Sequence, residues 1–379
     1  MVDSREILLK LIRFAVGWET DYSLPQDVNW NEVLTIAREQ GVEAIALDGY
    51  DVLMSKNPKE KPSAFLPENK RLMLEAMGRL VKQEFTHLKH VNALSVLGDT
   101  LAAKNIPFLL MKGFACGQYY PQPKHRVCGD IDIYPGEHFE ESNKAFREAG
   151  IDVDLHYYRH SVSKIKGVMI ENHCILCDLR GPKKQTRELE AQLEELAQES
   201  IESSQNIIID DVVIAGGHYP LANFNALFLP WHVSAHFEFE KVTLRHLLDW
   251  ALFLKHEGKD IDVGLFREAK RRYTYGFSKI ADILTNLALR YFKIPADDIP
   301  VGIVQDAVNF DDGLADRVFD HMFVGQPRER DANIWKFRWN NVKRVWSERW
   351  KYKEIYGMGV GRFILHKMVG VILKVGDDE

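Results

Sequence analysis

The sequence predicts an α+β fold: a small mixed sheet with its own helices, set between two helical segments. Three observations carry this. Residues 1 to about 104, and those from about 222 onward, space their apolar side chains as helices do. Between them lie short apolar or alternating runs, IPFLLM at 106–111 and GDIDIYP at 129–135, with the length and pattern of strands. The strands and helices of that middle stretch do not alternate strictly, as a doubly wound parallel sheet requires. The expected division is 1–104 for an N-terminal helical domain, 105–215 for the α/β core and 216–379 for a C-terminal helical domain.

Ile7, Leu8, Leu11, Ile12 and Ala15 share one face of a first helix. A second, 28–40, carries Trp30, Val33, Leu34 and Ala37 and stops at Gly41. The Pro- and Lys-rich stretch 56–69 reads as an exposed loop. A long helix follows from Pro67 to about Lys104, with Leu72, Ala76, Leu80, Phe85, Leu88 and Leu94 expected towards a core. After the buried strand 106–111 come a short helix at 114–120 and a loop opened by Pro121 and Pro123. The run 129–135 reads as a half-buried strand, and 137–149 as a helix ended by Gly150. Strands near 151–159 and 166–178 are expected to form a hairpin turning around Ser161 to Lys164. The acidic stretch 184–202 reads as a solvated helix, and 207–214 as a last strand running into Gly216 and Gly217.

Composition narrows the function classes. The 379 residues suffice for two or three domains at roughly 150 each. With 46% hydrophobic and 27% charged residues, the chain has globular rather than disordered or fibrous composition. A net charge of −6 offers no overall attraction to a polyphosphate backbone, so no nucleic-acid partner is expected. Four cysteines, Cys116, Cys128, Cys174 and Cys177, make no disulfide framework. The first residues lack a signal-peptide layout, and no run approaches the ~20 apolar residues of a membrane span, so a cytoplasmic location is expected.

The chemistry centres on Asp130 and Asp132. Two residues apart on a strand, they project from one face, while Ile131 and Ile133 point into the packing side. Paired carboxylates repel unless a cation lies between them, and hard oxygen ligands suit Mg²⁺ (or Mn²⁺). A third carboxylate would complete a two-metal site for in-line displacement. A lone Asp-x-Asp is equally a structural strand end. Upstream, Lys112-Gly113 stands between a strand and a short helix, where a glycine lets the backbone approach a phosphate and Lys112 offers a positive charge.

The run LLMKGFACGQYYPQPKHRVCGDIDIYP, 109–135, resembles the signature of the uncharacterised nucleotidyltransferase family within the polymerase-β-like superfamily. WNEVLTIAREQGV at 30–42, IENHC at 170–174 and LFLPWHVSAHFEFEKVTLRHLLDWALFL at 227–254 extend the resemblance, which covers roughly residues 30 to 260. It implies a minimal nucleotidyltransferase fold and two-metal transfer of a nucleoside monophosphate from an NTP to a hydroxyl acceptor. Asp130 and Asp132 match the paired metal-binding carboxylates, Gly113 the glycine between strand and helix, and Glu171 the third acid. Asp152 and Asp154 are rivals to Glu171. Two features depart from the superfamily: Phe114 follows Gly113 where a Ser is usual, and 16 residues separate Gly113 from Asp130. A small hydroxylated molecule is the expected acceptor, and a non-catalytic nucleotide-binding regulatory or partner-binding protein on the same fold is the alternative.

Arg126 stands where the family carries an arginine. It either holds a phosphate in a bidentate fork or braces the loop against a strand acid. His232 and His236, four apart on a helix, share a face. With Arg245 and Asp249 they form a polar cluster that contacts nucleotide or acceptor, or else braces two helices. A metalloprotease helix needs Glu after its first His, and Val233 stands there. Cys174 and Cys177 are expected on opposite faces of a strand, as core packing. The basic, Trp-rich stretch 334–374 reads as amphipathic packing helices, with membrane association the lesser alternative.

Overall fold

In the computed structural model the described residues are 3–56, 69–177, 182–203, 206–324 and 346–359, with 343 and 361 standing alone. Almost all of the loop expected at 56–69, and most of the basic stretch 334–374, lie outside them.

Helix α1 (Ser4–Ala15) begins where the Asp3 side chain accepts from the Arg5 amide, and it buries Ile7, Leu8, Leu11 and Ile12. Helix α2 (Trp30–Glu39) is capped by Asn29, which accepts from the amide of Glu32. Helix α3 (Glu43–Lys56) crosses α1 so closely that a Cβ on Gly49 would lie 1.8 Å from the Leu11 carbonyl oxygen. Only glycine allows that approach.

Helix α4 (Lys70–Ala102) has 33 residues, which is about 50 Å of helix. Its inner face carries His87, His90, Leu94, Leu97 and Leu101. Phe85 and Leu88, expected in a core, are 62% and 50% exposed. At 3.6 residues per turn they share a face with the exposed Asn92 and Asp99. Their apolarity alone had suggested burial.

The sheet follows: β1 (Phe108–Met111), the short α5 (Lys112–Cys116) leading into a 3-10 turn at Gly117–Tyr119, β2 (Asp130–Tyr134), α6 (Phe139–Glu148), β3 (Val153–Asp154), β4 (His160–Ile165) and β5 (Val168–His173). After α7 (Lys183–Ser203) come β6 (Ile208–Ile209), β7 (Val212–Val213) and β8 (Gly217–His218). Six strands pair in the order β3-β4-β5-β2-β1-β8, mixed in direction, while β6 and β7 form a separate ribbon. Strand β2 runs antiparallel to β1 and parallel to β5.

Three expectations are corrected here. The β4–β5 hairpin turns at Lys166-Gly167, both at positive φ (50° and 83°), the two-residue turn that matches strand twist. Ser161 and Ser163, read as turn residues, lie inside β4, buried, and Ser161 donates to Asn143 on α6 at 2.6 Å. The strand expected at 207–214 is instead β6 and β7, folded about Asp210 and Asp211, both at positive φ. Cys174 and Cys177 follow β5 rather than lying on it.

Two apolar cores flank the sheet. Leu94, Leu97, Leu101, Phe108, Leu110, Ile131, Ile133 and Ile170 fill one, between the sheet and α4 with α6. On the other face Leu109, Met111 and Tyr134 join a larger core shared by the first three helices and by those after the sheet. The latter are α8 (Ala222–Phe239), α9 (Leu244–Glu257), α10 (Val263–Arg272), α11 (Phe277–Leu287), α12 (Val301–Val308) and α13 (Asp312–Met322). Tyr352, Ile355 and Tyr356 from the described part of the basic stretch are buried in this core. Among the described residues no helix is long and apolar enough to cross a membrane.

Candidate active site

The strand pleat sets the site. On β2, Asp130, Asp132 and Tyr134 alternate with Ile131 and Ile133, whose fully buried side chains fix which face is which. Asp132 pairs in register with Met111 on β1 and with Glu171 on β5. Glu171 therefore rises beside Asp132 on the same side of the sheet. All three acids line a cavity of ≈ 530 Å³ between the sheet and helices α8 and α9, a usual size for a small-molecule site. Asp154 lies on β3, which β4 and β5 separate from β2. There it is exposed and bonded to His156, whereas Glu171 lies beside the pair.

Lys112 enters from the β1–α5 junction with a φ of +48°, a conformation that costs a lysine energy and marks an over-determined position. Its Nζ lies 2.8 Å from Asp132 Oδ1, and His173 Nε2 lies 2.9 Å from the same oxygen. His173 Nε2 is also 3.4 Å from Glu171 Oε2, and His160 Nε2 is 3.8 Å from Glu171 Oε1.

These contacts divide the acids. Burial pushes the Asp132 carboxyl up, but Lys112 and the hydrogen bond from His173 outweigh it and hold the group well below the usual range. The neighbouring His173 also lowers Glu171. Among the described residues no side chain bonds to Asp130 in this way: burial, then the charges of Asp132 and Glu171, push its carboxyl up, and Lys112 offsets this only in part. Two acids are held ionised while the third resists ionisation, an arrangement that added positive charge would relieve. Burial drives the His160 imidazole down to about 4, so it is neutral.

Gly113 makes room for the loop before β2. A Cβ there would meet Arg126 Nη1 at 2.9 Å and Cys128 Sγ at 3.0 Å. Arg126 does form a bidentate fork, and its partner is Asp249 on α9, at 3.2 and 2.6 Å, with Nη1 donating to the Val127 carbonyl. Tyr120 donates to the same carboxylate at 2.7 Å. Arg126 thus braces the loop, against a helix acid rather than a strand acid. Arg245 differs: it lines the cavity, and among the described residues its Nε has no partner and its guanidinium makes one hydrogen bond, a long 3.4 Å contact to the Val127 carbonyl.

His232 and His236, on successive turns of α8, pack edge to face with ring centroids 4.4 Å apart, and His236 is bonded to Glu240. Burial drives His232 and His246 well below their usual range, so both face the cavity as neutral rings. His246 was missed in the sequence. It closes a capping box with Thr243, a role that His does not usually advertise. His160 carries no signal of its own in the sequence, for its place beside Glu171 depends on the β4–β5 register.

A family model described as an uncharacterised nucleotidyltransferase matches residues 26–293. No curated protein and no solved structure matches the chain.

Proposed function

The chain belongs to the uncharacterised nucleotidyltransferase family, whose model covers most of its length, and from that premise we propose that it transfers a nucleoside monophosphate from an NTP to the hydroxyl of a small molecule. The observation that carries this reading is the set of three carboxylates, on two paired strands, facing one cavity. In this proposal Asp130, Asp132 and Glu171 hold Mg²⁺ or Mn²⁺. The donor set fits such ions: all are hard oxygens, and Asp130 is pushed up by burial and by the charges of Asp132 and Glu171. When bound, divalent cations neutralise the phosphoryl oxygens during in-line displacement.

The chain's own residues do the rest. Lys112, whose ammonium lies 2.8 Å from Asp132 Oδ1 at the cavity wall, would offer its positive charge to the triphosphate. Arg245, with its unpartnered Nε, takes phosphate oxygens. Gly113 keeps the Arg126 loop packed beside them, and the Arg126–Asp249 fork ties that loop to α9. His232 and His236 line the wall that meets nucleoside or acceptor. The acceptor oxygen bonds to the α-phosphorus, the bond to pyrophosphate breaks, and the hydroxyl proton leaves. Glu171 either takes that proton or completes the cation site. Its lowered proton affinity favours the second role.

The division at 104/105 and 215/216 belongs to the same proposal, with residues 105–215 supplying the acids and 216–379 the facing wall. So does a cytoplasmic setting, in keeping with four free cysteines. The net charge of −6 supports a small acceptor over a nucleic acid.

One observation favours the alternative of a non-catalytic nucleotide-binding protein: an ammonium already neutralises Asp132. Pyrophosphate release, measured over a panel of NTPs and hydroxylated acceptors with Mg²⁺ or Mn²⁺, separates the two. Turnover that Asp132→Asn abolishes supports transfer. NTP binding without turnover across the whole panel supports the regulatory reading.

A further inference from the structure

His160, Glu171 and His173 place their ligand atoms within 4.8 Å of one another, the one such group of three or more among the described residues. The strands dictate it. His160 on β4 pairs in register with His173 on β5, and Val162 pairs with Glu171. His160, His173 and Glu171 therefore share the face that Asp132 occupies on β2. The two imidazoles have ring centroids 5.0 Å apart, and both Nε2 atoms face the Glu171 carboxylate, with His173 Nε2 also 2.9 Å from Asp132 Oδ1, a contact that a bound ion would replace.

The spacing is that of a shared ion. Two ligand atoms each about 2.1 Å from a metal stand about 3.4 Å apart across a tetrahedral angle, and farther across a wider one. The observed separations are 3.4 Å from His173 and 3.8 Å from His160 to the two carboxylate oxygens. The second exceeds any hydrogen bond.

His160 supplies an independent observation. It is 7% exposed, with Tyr157 stacked on its ring at 5.0 Å. Its Nδ1 has no partner, and its Nε2 has only the distant Glu171. A buried imidazole in a fold normally spends at least one nitrogen on a hydrogen bond, and one that does not calls for a missing ligand.

We propose that His160, Glu171 and His173 form a binding site for a divalent transition-metal ion, beside the all-carboxylate position of Asp130 and Asp132. Two imidazoles and one carboxylate suit Mn²⁺, Co²⁺ or Zn²⁺, whereas Mg²⁺ favours oxygen ligands. Three protein ligands leave positions open for a phosphate oxygen or water. The site deepens the nucleotidyltransferase reading and rests on it through the shared Glu171.

The full chain is titrated with Mn²⁺ alone, bound ion is counted by the loss of the free Mn²⁺ electron-spin-resonance signal, and electron-spin-echo modulation detects nitrogen ligands. Nitrogen modulation on the bound ion is the expected result. It should survive excess Mg²⁺ and Asp130→Asn, and weaken in His160→Gln and in His173→Gln. Loss of even an outer partner of a ligand costs roughly 10- to 100-fold in affinity, so each histidine variant should bind at least about tenfold more weakly. Bound Mn²⁺ without nitrogen modulation in the unaltered protein overturns the imidazole site and leaves the carboxylate site standing. No bound Mn²⁺, with or without NTP, overturns both. The unaltered protein decides between these outcomes even if a histidine variant does not fold.

Discussion

The ammonium of Lys112, the residue that follows β1, sits 2.8 Å from Oδ1 of Asp132, whose register partner on β1 is Met111. Both side chains are largely buried, 16% and 6% exposed. This pair neutralises the acid from within the protein. Removing one partner of a buried pair costs about 3–5 kcal/mol, because the other charge is left uncompensated. Lys112→Met should therefore lower metal-free stability by about that much in urea unfolding. Added Mg²⁺ should stabilise the variant more than the unaltered protein. Equal gains from Mg²⁺ would show that Lys112 and the cation do not neutralise the same acid.

Asp130→Asn should separate stability from activity. The Asp130 carboxyl is pushed up by burial and by its two acidic neighbours, so its ionised form is unfavourable in the metal-free fold. The neutral amide removes that repulsion, and the thermal midpoint without metal should rise. Turnover should fall roughly 100-fold or more, the scale set by loss of one charge-stabilising group. A lower midpoint would refute the electrostatic account of the site.

The shifts fix the pH dependence. Protonated Asp130 contributes stability to the metal-free protein that is fully present below the ordinary aspartate range, near pH 4, and is lost as pH rises through its raised value. Asp132 and Glu171 have the opposite sign. Their stabilisation is present above the ordinary carboxylate range and is lost as pH falls through their lowered values. Protons should therefore compete with a bound cation first at Asp130. Calorimetric titration of Mg²⁺ against pH should show affinity falling from above the usual aspartate range, with about one proton released per ion in that window. Affinity that holds constant until below pH 4 would contradict this.

Arg126 and Asp249 meet through two hydrogen bonds, with 7% and 8% of their side chains exposed. Arg126→Met and Asp249→Leu should each cost about 3–5 kcal/mol in urea unfolding, and the double variant less than the sum. Arg126→Lys should not restore the fork. Additive losses would mean that the pair does not act as a unit.

Arg245→Gln should leave stability within about 0.5 kcal/mol, since its Nε has no partner to lose. Nucleotide binding should weaken roughly tenfold or more, the scale of one charge-assisted hydrogen bond. Unchanged nucleotide affinity by calorimetry would remove Arg245 from the triphosphate site.

Much of the site was legible because it is local. The Asp130-Ile131-Asp132-Ile133 alternation puts two acids on one face whatever surrounds them, and the Glu-x-His of Glu171 and His173 does the same on β5. Serine in β4 misled because its usual place is a turn, whereas Ser161 is buried and bonded to Asn143. Phe85 and Leu88 misled because apolarity suggested a core that α4 turns away from. Arg126 could not be assigned a partner, since Asp249 is 123 residues away.

Backbone geometry over a few residues thus determined, from sequence alone, most of the element types, the paired carboxylates and the glycine in the first turn of α5. Only the tertiary structure decided the β2–β5 register that sets Glu171 beside Asp132, the pairing of Lys112 with Asp132, and the fork that occupies Arg126. The physical reason is range. Pleat and helix turn are fixed by bonds between neighbours, while the matching of each charge to its partner is settled when distant segments exclude water together.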